Sequence, residues 1–223
     1  MSRTRIKICG LTREADVDAA VEAGADAIGL VFYDKSPRAV TVARAAELVR
    51  HLPPFVTPVG LFVNADASLI QDALQALPTL TLQFHGDESP QDCDRWNRPY
   101  LRAARMAPGF DLVDFAHRFS SAQAVLLDAF VEGYGGGGKV FDWSLLPPSV
   151  PSPVVLSGGL SAANVIDGVL KVRPWAVDVS SGVEVAKGLK DADKIRHFCN
   201  AVREADQLKI QAELESAKLA TRR

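Results

Sequence analysis

Several polar side chains stand at or near the ends of short apolar runs. Cys9 closes RIKIC (residues 5–9), His85 lies in LTLQFHG (80–86), Asp128 in AVLLDAF (124–130) and Asp178 in WAVDVSSG (175–182). An ionised thiol can act as nucleophile or base, and a carboxyl or an imidazole can carry a proton in either direction. Each has a plainer reading. An unpaired cysteine is among the most buried residue types, a lone inward aspartate can pair structurally with Lys or Arg, and a histidine can be a hydrogen-bonded core residue. Only convergence on one place would favour chemistry.

The elements that must position them follow one rhythm. Runs rich in Val, Ile, Leu and Phe recur as RIKIC, DAIGLVF (26–32), PVGLFVN (58–64), LTLQFHG, YLRAARM (100–106), AVLLDAF, PVVLSGG (153–159) and WAVDVSSG. Between them lie segments with helical spacing, such as TREADVDAAVEAG, for which Thr12 is the expected N-cap and Gly24 the expected C-cap. Parallel strands need crossovers, and eight strand-helix units in this length predict a single-domain α/β fold, the (β/α)8 TIM barrel. A doubly wound open sheet is the alternative. Against it, no GxGxxG follows the first run, and polar residues mark the ends of most strands rather than one turn.

Strand side chains alternate between barrel interior and helix layer. Placing Ile6, Ile8, Leu127 and Ala129 outward puts Lys7, Cys9, Leu126 and Asp128 inward; the same parity turns Gln83, His85, Asp178 and Ser180 toward the axis. Two glycine turns then end the seventh and eighth strands, at Gly158-Gly159, before a helix expected near Ser161, and at Ser180-Ser181-Gly182. In a barrel those loops commonly hold phosphate, because glycine permits close backbone approach and helix N-termini present free N–H groups. A third cluster, EGYGGGGKVFDW, begins four residues after Asp128 and reads either as a linker or as a mobile loop closing over a ligand.

Bulk properties narrow the partners. A net charge of −2 gives no sign of a general nucleic-acid or membrane surface, so any anion specificity must be local and the expected partner is a small molecule, phosphorylated if the glycine turns hold phosphate. Cys9, Cys93 and Cys199 form no CxxC pair, which argues against a disulfide framework and against a thiolate metal site. With neither a signal-peptide core nor a membrane span, the expected location is cytoplasmic. The expected partition is a catalytic barrel over 1–205 and a helical or disordered extension over 206–223, the chain standing as monomer or homodimer.

The ordered motifs KICGLT, FYDKSPRAV, VGLFVN, QFHGDE, LLDA, GGGGKVFDW, LSGGLSAANV and VDVSSGVE resemble those of the phosphoribosylanthranilate isomerases of tryptophan biosynthesis, across nearly the whole barrel. Gly137 stands where that family usually has threonine. The resemblance implies an Amadori rearrangement of N-(5-phosphoribosyl)anthranilate to the corresponding aminoketose, with no cofactor and no metal. It implies Cys9 as general base and Asp128 as general acid, with Arg38, Gln83, His85 and Asp178 binding substrate. Gly137, Gly138, Gly158, Gly159, Ser180, Ser181 and Gly182 would hold the phosphate.

Those residue types suit the reaction. Opening a furanose needs a proton on the ring oxygen, which a carboxylic acid can supply, and removal of the acidified C2 proton suits a thiolate whose pKa neighbouring positive charge would lower. Two other functions remain on the sequence. A barrel resembling indole-glycerol-phosphate synthase would use strand-end lysines, with Lys7 one inward position below the rim. A barrel that binds a phosphorylated metabolite without turnover would need no acid and base pair.

Overall fold

The computed structural model describes residues 3–129 and 141–220. Its eight parallel strands are β1 (Arg5–Cys9), β2 (Ala27–Phe32), β3 (Thr57–Phe62), β4 (Thr81–Phe84), β5 (Tyr100–Met106), β6 (Ala124–Ala129), β7 (Val154–Leu156) and β8 (Ala176–Val179). They hydrogen-bond in chain order, and β1 pairs with both β2 and β8, so the sheet closes into the expected barrel. Helices α1 (Glu14–Glu22), α2 (Val42–Val49), α3 (Ala67–Ala76), α4 (Pro90–Asp94), α5 (Leu112–Arg118) and α6 (Val165–Val172) lie between strands. After β8 come two short strands, β9 (Glu184–Ala186) and β10 (Leu189–Lys190), which pair antiparallel as a hairpin outside the barrel. Helix α7 (Ala192–Ala220) follows.

Two apolar layers result from the strand alternation. Ile6, Ile8, Leu82, Phe84, Val125, Leu127 and Val177 face the helices in the large core. Ala103, Ala124, Leu126, Val155 and Ala176 form a smaller cluster inside the barrel. The inward side chains near the C-terminal rim are polar, and a pocket opens among them there.

Three local expectations are corrected. Thr12 does not cap α1: Arg13 is the N-cap, without a side-chain cap bond, and the Thr12 hydroxyl donates instead to the Gly188 carbonyl at 2.9 Å. The C-cap is Ala23, with Gly24 one residue later at φ +79°, a left-handed position that suits glycine. The helix after β7 begins at Val165 rather than near Ser161. The strand itself stops at Leu156 because Gly158 (φ +76°) and Gly159 (φ +66°) turn the backbone into the left-handed region. The tail is helical, and α7 passes residue 205 without a break. Gly137 and Gly138, with the glycine-rich loop, lie outside the described residues.

Candidate active site

A pocket at the C-terminal rim brings Cys9, Arg38, Gln83, His85, Asp128, Gly158, Gly159, Asp178, Ser180 and Ser181 together. Cys9 on β1 and Asp128 on β6 are three strand steps apart around the rim, through β8 and β7. Gly182, also assigned to phosphate, supports the site from behind. A Cβ there would lie 1.9 Å from the Leu160 carbonyl oxygen, so only glycine lets the β7 and β8 turns touch.

The polar rim is cross-linked. His85 Nε2 lies 3.0 Å from Asp128 Oδ2, while Asp128 Oδ1 accepts from its neighbour's amide, Ala129 N, at 3.0 Å. Gln83 Nε2 lies 3.3 Å from His85 Nδ1, and Gln83 itself is fully buried, so it supports the imidazole from beneath. One layer below Cys9, the Lys7 ammonium donates to Asp178 Oδ1 at 2.8 Å. Burial opposes the charge on Lys7, but Asp178 and Cys9 together pull the other way and the pKa is raised, so this lysine is held as a cation. That pairing removes Lys7 as a free strand-end acid.

Cys9 corrects an expectation. Burial pushes its thiol above the ordinary value, and although the Lys7 and Lys190 ammonium groups pull the other way, they do not compensate for lost hydration. Burial thus works against the thiolate at this position. Its space is provided by a residue the sequence gave no reason to single out. Gly29 pairs with Cys9 across β1 and β2, and a Cβ there would stand 2.6 Å from Sγ.

The turn after β7 forms one wall of the pocket. Asn164 staples it, accepting from Ser161 N at 2.9 Å and donating to the Gly159 carbonyl at 3.0 Å. The amides of Gly158 and Gly159 donate to no group among the described residues, which leaves backbone N–H groups free in the pocket wall. Ser180, by contrast, is already engaged, its hydroxyl and carbonyl both accepting from Lys190 Nζ. Arg38 reaches the wall from the loop after β2, passing where a Cβ on Gly10 (φ +77°) would meet its Cδ at 2.4 Å. Glu184 holds its guanidinium by two bonds, at 2.7 and 2.8 Å. Neither Glu184 nor Lys190 was singled out from the sequence. Glu184 had one signal, its place at the end of VDVSSGVE, and Lys190 had none.

A family model described as N-(5'-phosphoribosyl)anthranilate (PRA) isomerase matches residues 6–201. The N-(5'-phosphoribosyl)anthranilate isomerase of Methylibium petroleiphilum is 78% identical over 204 residues, covering 92% of this chain and 96% of its own. That of Leptothrix cholodnii is 70% identical over 211 residues, covering 95% and 96%. The crystal structure of phosphoribosyl anthranilate isomerase from Thermotoga maritima superposes with a TM-score of 0.80 at 39% identity, over 90% of this chain and 99% of that one. Another solved structure, of the isomerase in complex with reduced 1-(O-carboxyphenylamino)-1-deoxyribulose 5-phosphate, gives 0.77 at 36% identity, over 90% and 99%. This chain belongs to the N-(5'-phosphoribosyl)anthranilate isomerase family, the isomerases of tryptophan biosynthesis.

Proposed function

We propose that the chain isomerises N-(5'-phosphoribosyl)anthranilate to 1-(2-carboxyphenylamino)-1-deoxyribulose 5-phosphate, with Asp128 as general acid and Cys9 as general base. The observation that carries this reading is the convergence of a carboxyl, a thiol and free backbone amides in one rim pocket of a barrel of this family.

In this account the phosphate binds the free Gly158 and Gly159 amides, with Ser181 and Gly182 closing the cradle and Ser180 held in place by Lys190. The substrate's other anion, the aryl carboxylate, then falls to Arg38, whose guanidinium keeps an edge unbonded among the described residues. With both ends fixed, the furanose lies between Asp128 and Cys9. Asp128 gives its proton to the ring oxygen as the C1–O bond breaks, and the anthranilate nitrogen lone pair forms the C1=N bond of an iminium ion. His85, within hydrogen-bond reach of Asp128, orients that carboxyl.

The iminium ion acidifies C2–H and adds a cation beside the buried thiol. Together with Lys7 and Lys190 it favours ionisation of the thiol, whose proton leaves to solvent through the pocket mouth. The thiolate takes the C2 proton, and the resulting enolamine becomes the aminoketone by losing the O2 proton and gaining one at C1. Asp178 keeps Lys7 in place below. The loop holding Gly137 and Gly138 is assigned to the phosphate end on family resemblance alone. No cofactor enters the scheme.

Among the described residues no helix is long and apolar enough to cross a membrane, and we place the enzyme in the cytoplasm as monomer or homodimer. The purified chain, given freshly made phosphoribosylanthranilate, is expected to abolish the substrate's anthranilate fluorescence with saturable kinetics. A signal that decays no faster than the spontaneous background would refute the proposal.

A further inference from the structure

The β9–β10 hairpin lies outside the barrel, yet its side chains meet the pocket wall. Glu184, with 6% side-chain exposure, uses both carboxylate oxygens. Oε1 accepts from Arg38 Nε at 2.7 Å and from Lys190 Nζ at 2.8 Å, and Oε2 accepts from Arg38 Nη2 at 2.8 Å. Arg38 Nη1 has no hydrogen-bond partner among the described residues. Lys190, whose side chain is wholly buried, also donates to the Ser180 carbonyl at 3.0 Å and hydroxyl at 3.2 Å. The backbone is fitted to the same cluster. At Gly188, the hairpin turn (φ +80°), a Cβ would stand 2.7 Å from the Pro37 carbonyl oxygen, so the turn packs directly on the loop that carries Arg38.

We infer that Glu184 is a positioning residue that presents Arg38 to the aryl carboxylate of the substrate and, through Lys190, joins that end of the pocket to the Ser180 turn at the phosphate end. The inference rests on the reading of the pocket given above. A bidentate fork fixes the guanidinium plane, so its remaining edge is ordered before the ligand arrives and less entropy is lost on binding. Charge supports the same role. Arg38 and Lys190 contribute two positive charges and Glu184 one negative, which leaves a single surplus positive charge for an anionic ligand. Without the carboxylate, two buried cations would repel and Arg38 would turn toward solvent.

Steady-state kinetics of the intact chain test this, together with inhibition by anthranilate and by inorganic phosphate as separate probes of the two ends. Glu184→Gln is expected to raise KM about 10-fold or more while kcat stays within about threefold, because the lost interaction serves ground state and transition state alike. It should weaken anthranilate more than phosphate. A merely structural role, neutralising Lys190, is separated by Glu184→Gln combined with Lys190→Met, which buries no unpaired ammonium. The double variant is expected to keep the raised KM. An unchanged KM in Glu184→Gln, equal weakening of both inhibitors, or a KM restored in the double variant would overturn the inference. Absence of turnover in the unaltered chain would instead refute the proposed activity. Anthranilate binding, compared by calorimetry between unaltered chain and Glu184→Gln, still decides the role of Glu184 in that event.

Discussion

At the scale of single residues, the site is set by which side chains strand parity turns inward and by which neighbours have no side chain. Parity was legible in the sequence: Lys7, Cys9, Gln83, His85, Asp128 and Asp178 all meet in or just below one pocket. The protonation of Cys9 was not legible, because it depends on burial set against two lysines, one of which arrives from the hairpin. The Glu184 and Lys190 contacts were hidden for the same reason, since a two-residue strand carries no periodic signal. With burial raising the thiol pKa, iodoacetamide should alkylate Cys9 slowly at neutral pH. The rate should keep rising past the ordinary thiol value of about 8.5, without levelling off near neutrality. Labelling read by mass spectrometry across pH checks this, and a plateau below pH 8 would show a resting thiolate instead.

Elements matter through their ends. The strand runs were readable from apolar composition, and β1, β2 and β5 end where expected, at Cys9, Phe32 and Met106, while the runs through β7 and β8 reach past Leu156 and Val179. Gly158 and Gly159 read as the turn that ends the seventh strand, and their positive φ does end β7 just before them, at Leu156. A similar dependence on tertiary contact governs the loop after β4. Arg102, buried on the outer face of β5, donates to the carbonyls of Phe84 and Gly86 at 2.9 and 3.0 Å, and to those of Ala103 and Glu88 at 3.2 and 3.3 Å. Three of these bonds fall on the segment that contains His85, so Arg102 holds the imidazole's backbone in place. Its cation also lies over the Phe119 ring, 4.8 Å from the centroid. Arg102→Leu removes all four of these bonds and should cost roughly 2–4 kcal/mol of stability. Urea unfolding followed by circular dichroism measures it, and a change under about 0.5 kcal/mol would mean that the loop holds itself.

At the scale of the whole molecule, chemistry occupies one end of the barrel, while the last helix fastens the other. Residues after 205 looked separable in sequence because large apolar residues become sparse there. Asp206 stands at that boundary: its carboxylate accepts from the Thr4 amide and hydroxyl, both at 2.7 Å, and so tethers α7 to the segment that leads into β1. Burial alone would raise the Asp206 pKa, but Lys209 and the Thr4 bonds outweigh it and hold it below the ordinary range. A carboxyl with a depressed folded-state pKa stabilises fully above its unfolded value and loses that contribution as pH falls through the folded one. Asp206→Ala should therefore lower the melting temperature at pH 7 and narrow its deficit below about pH 4. A deficit that stays constant across that range would contradict the ionic account. The catalytic claim itself is tested most directly by kcat for phosphoribosylanthranilate in Asp128→Asn and Cys9→Ser, beside the affinity of each variant for the reduced, open-chain product analogue, which needs no proton transfer. The account predicts a fall in kcat of about 10²-fold or more in both, with analogue affinity within a few-fold of the unaltered chain. Near-normal turnover in Cys9→Ser would make the thiol a packing residue, and near-normal turnover in Asp128→Asn would remove the acid, either result contradicting the account.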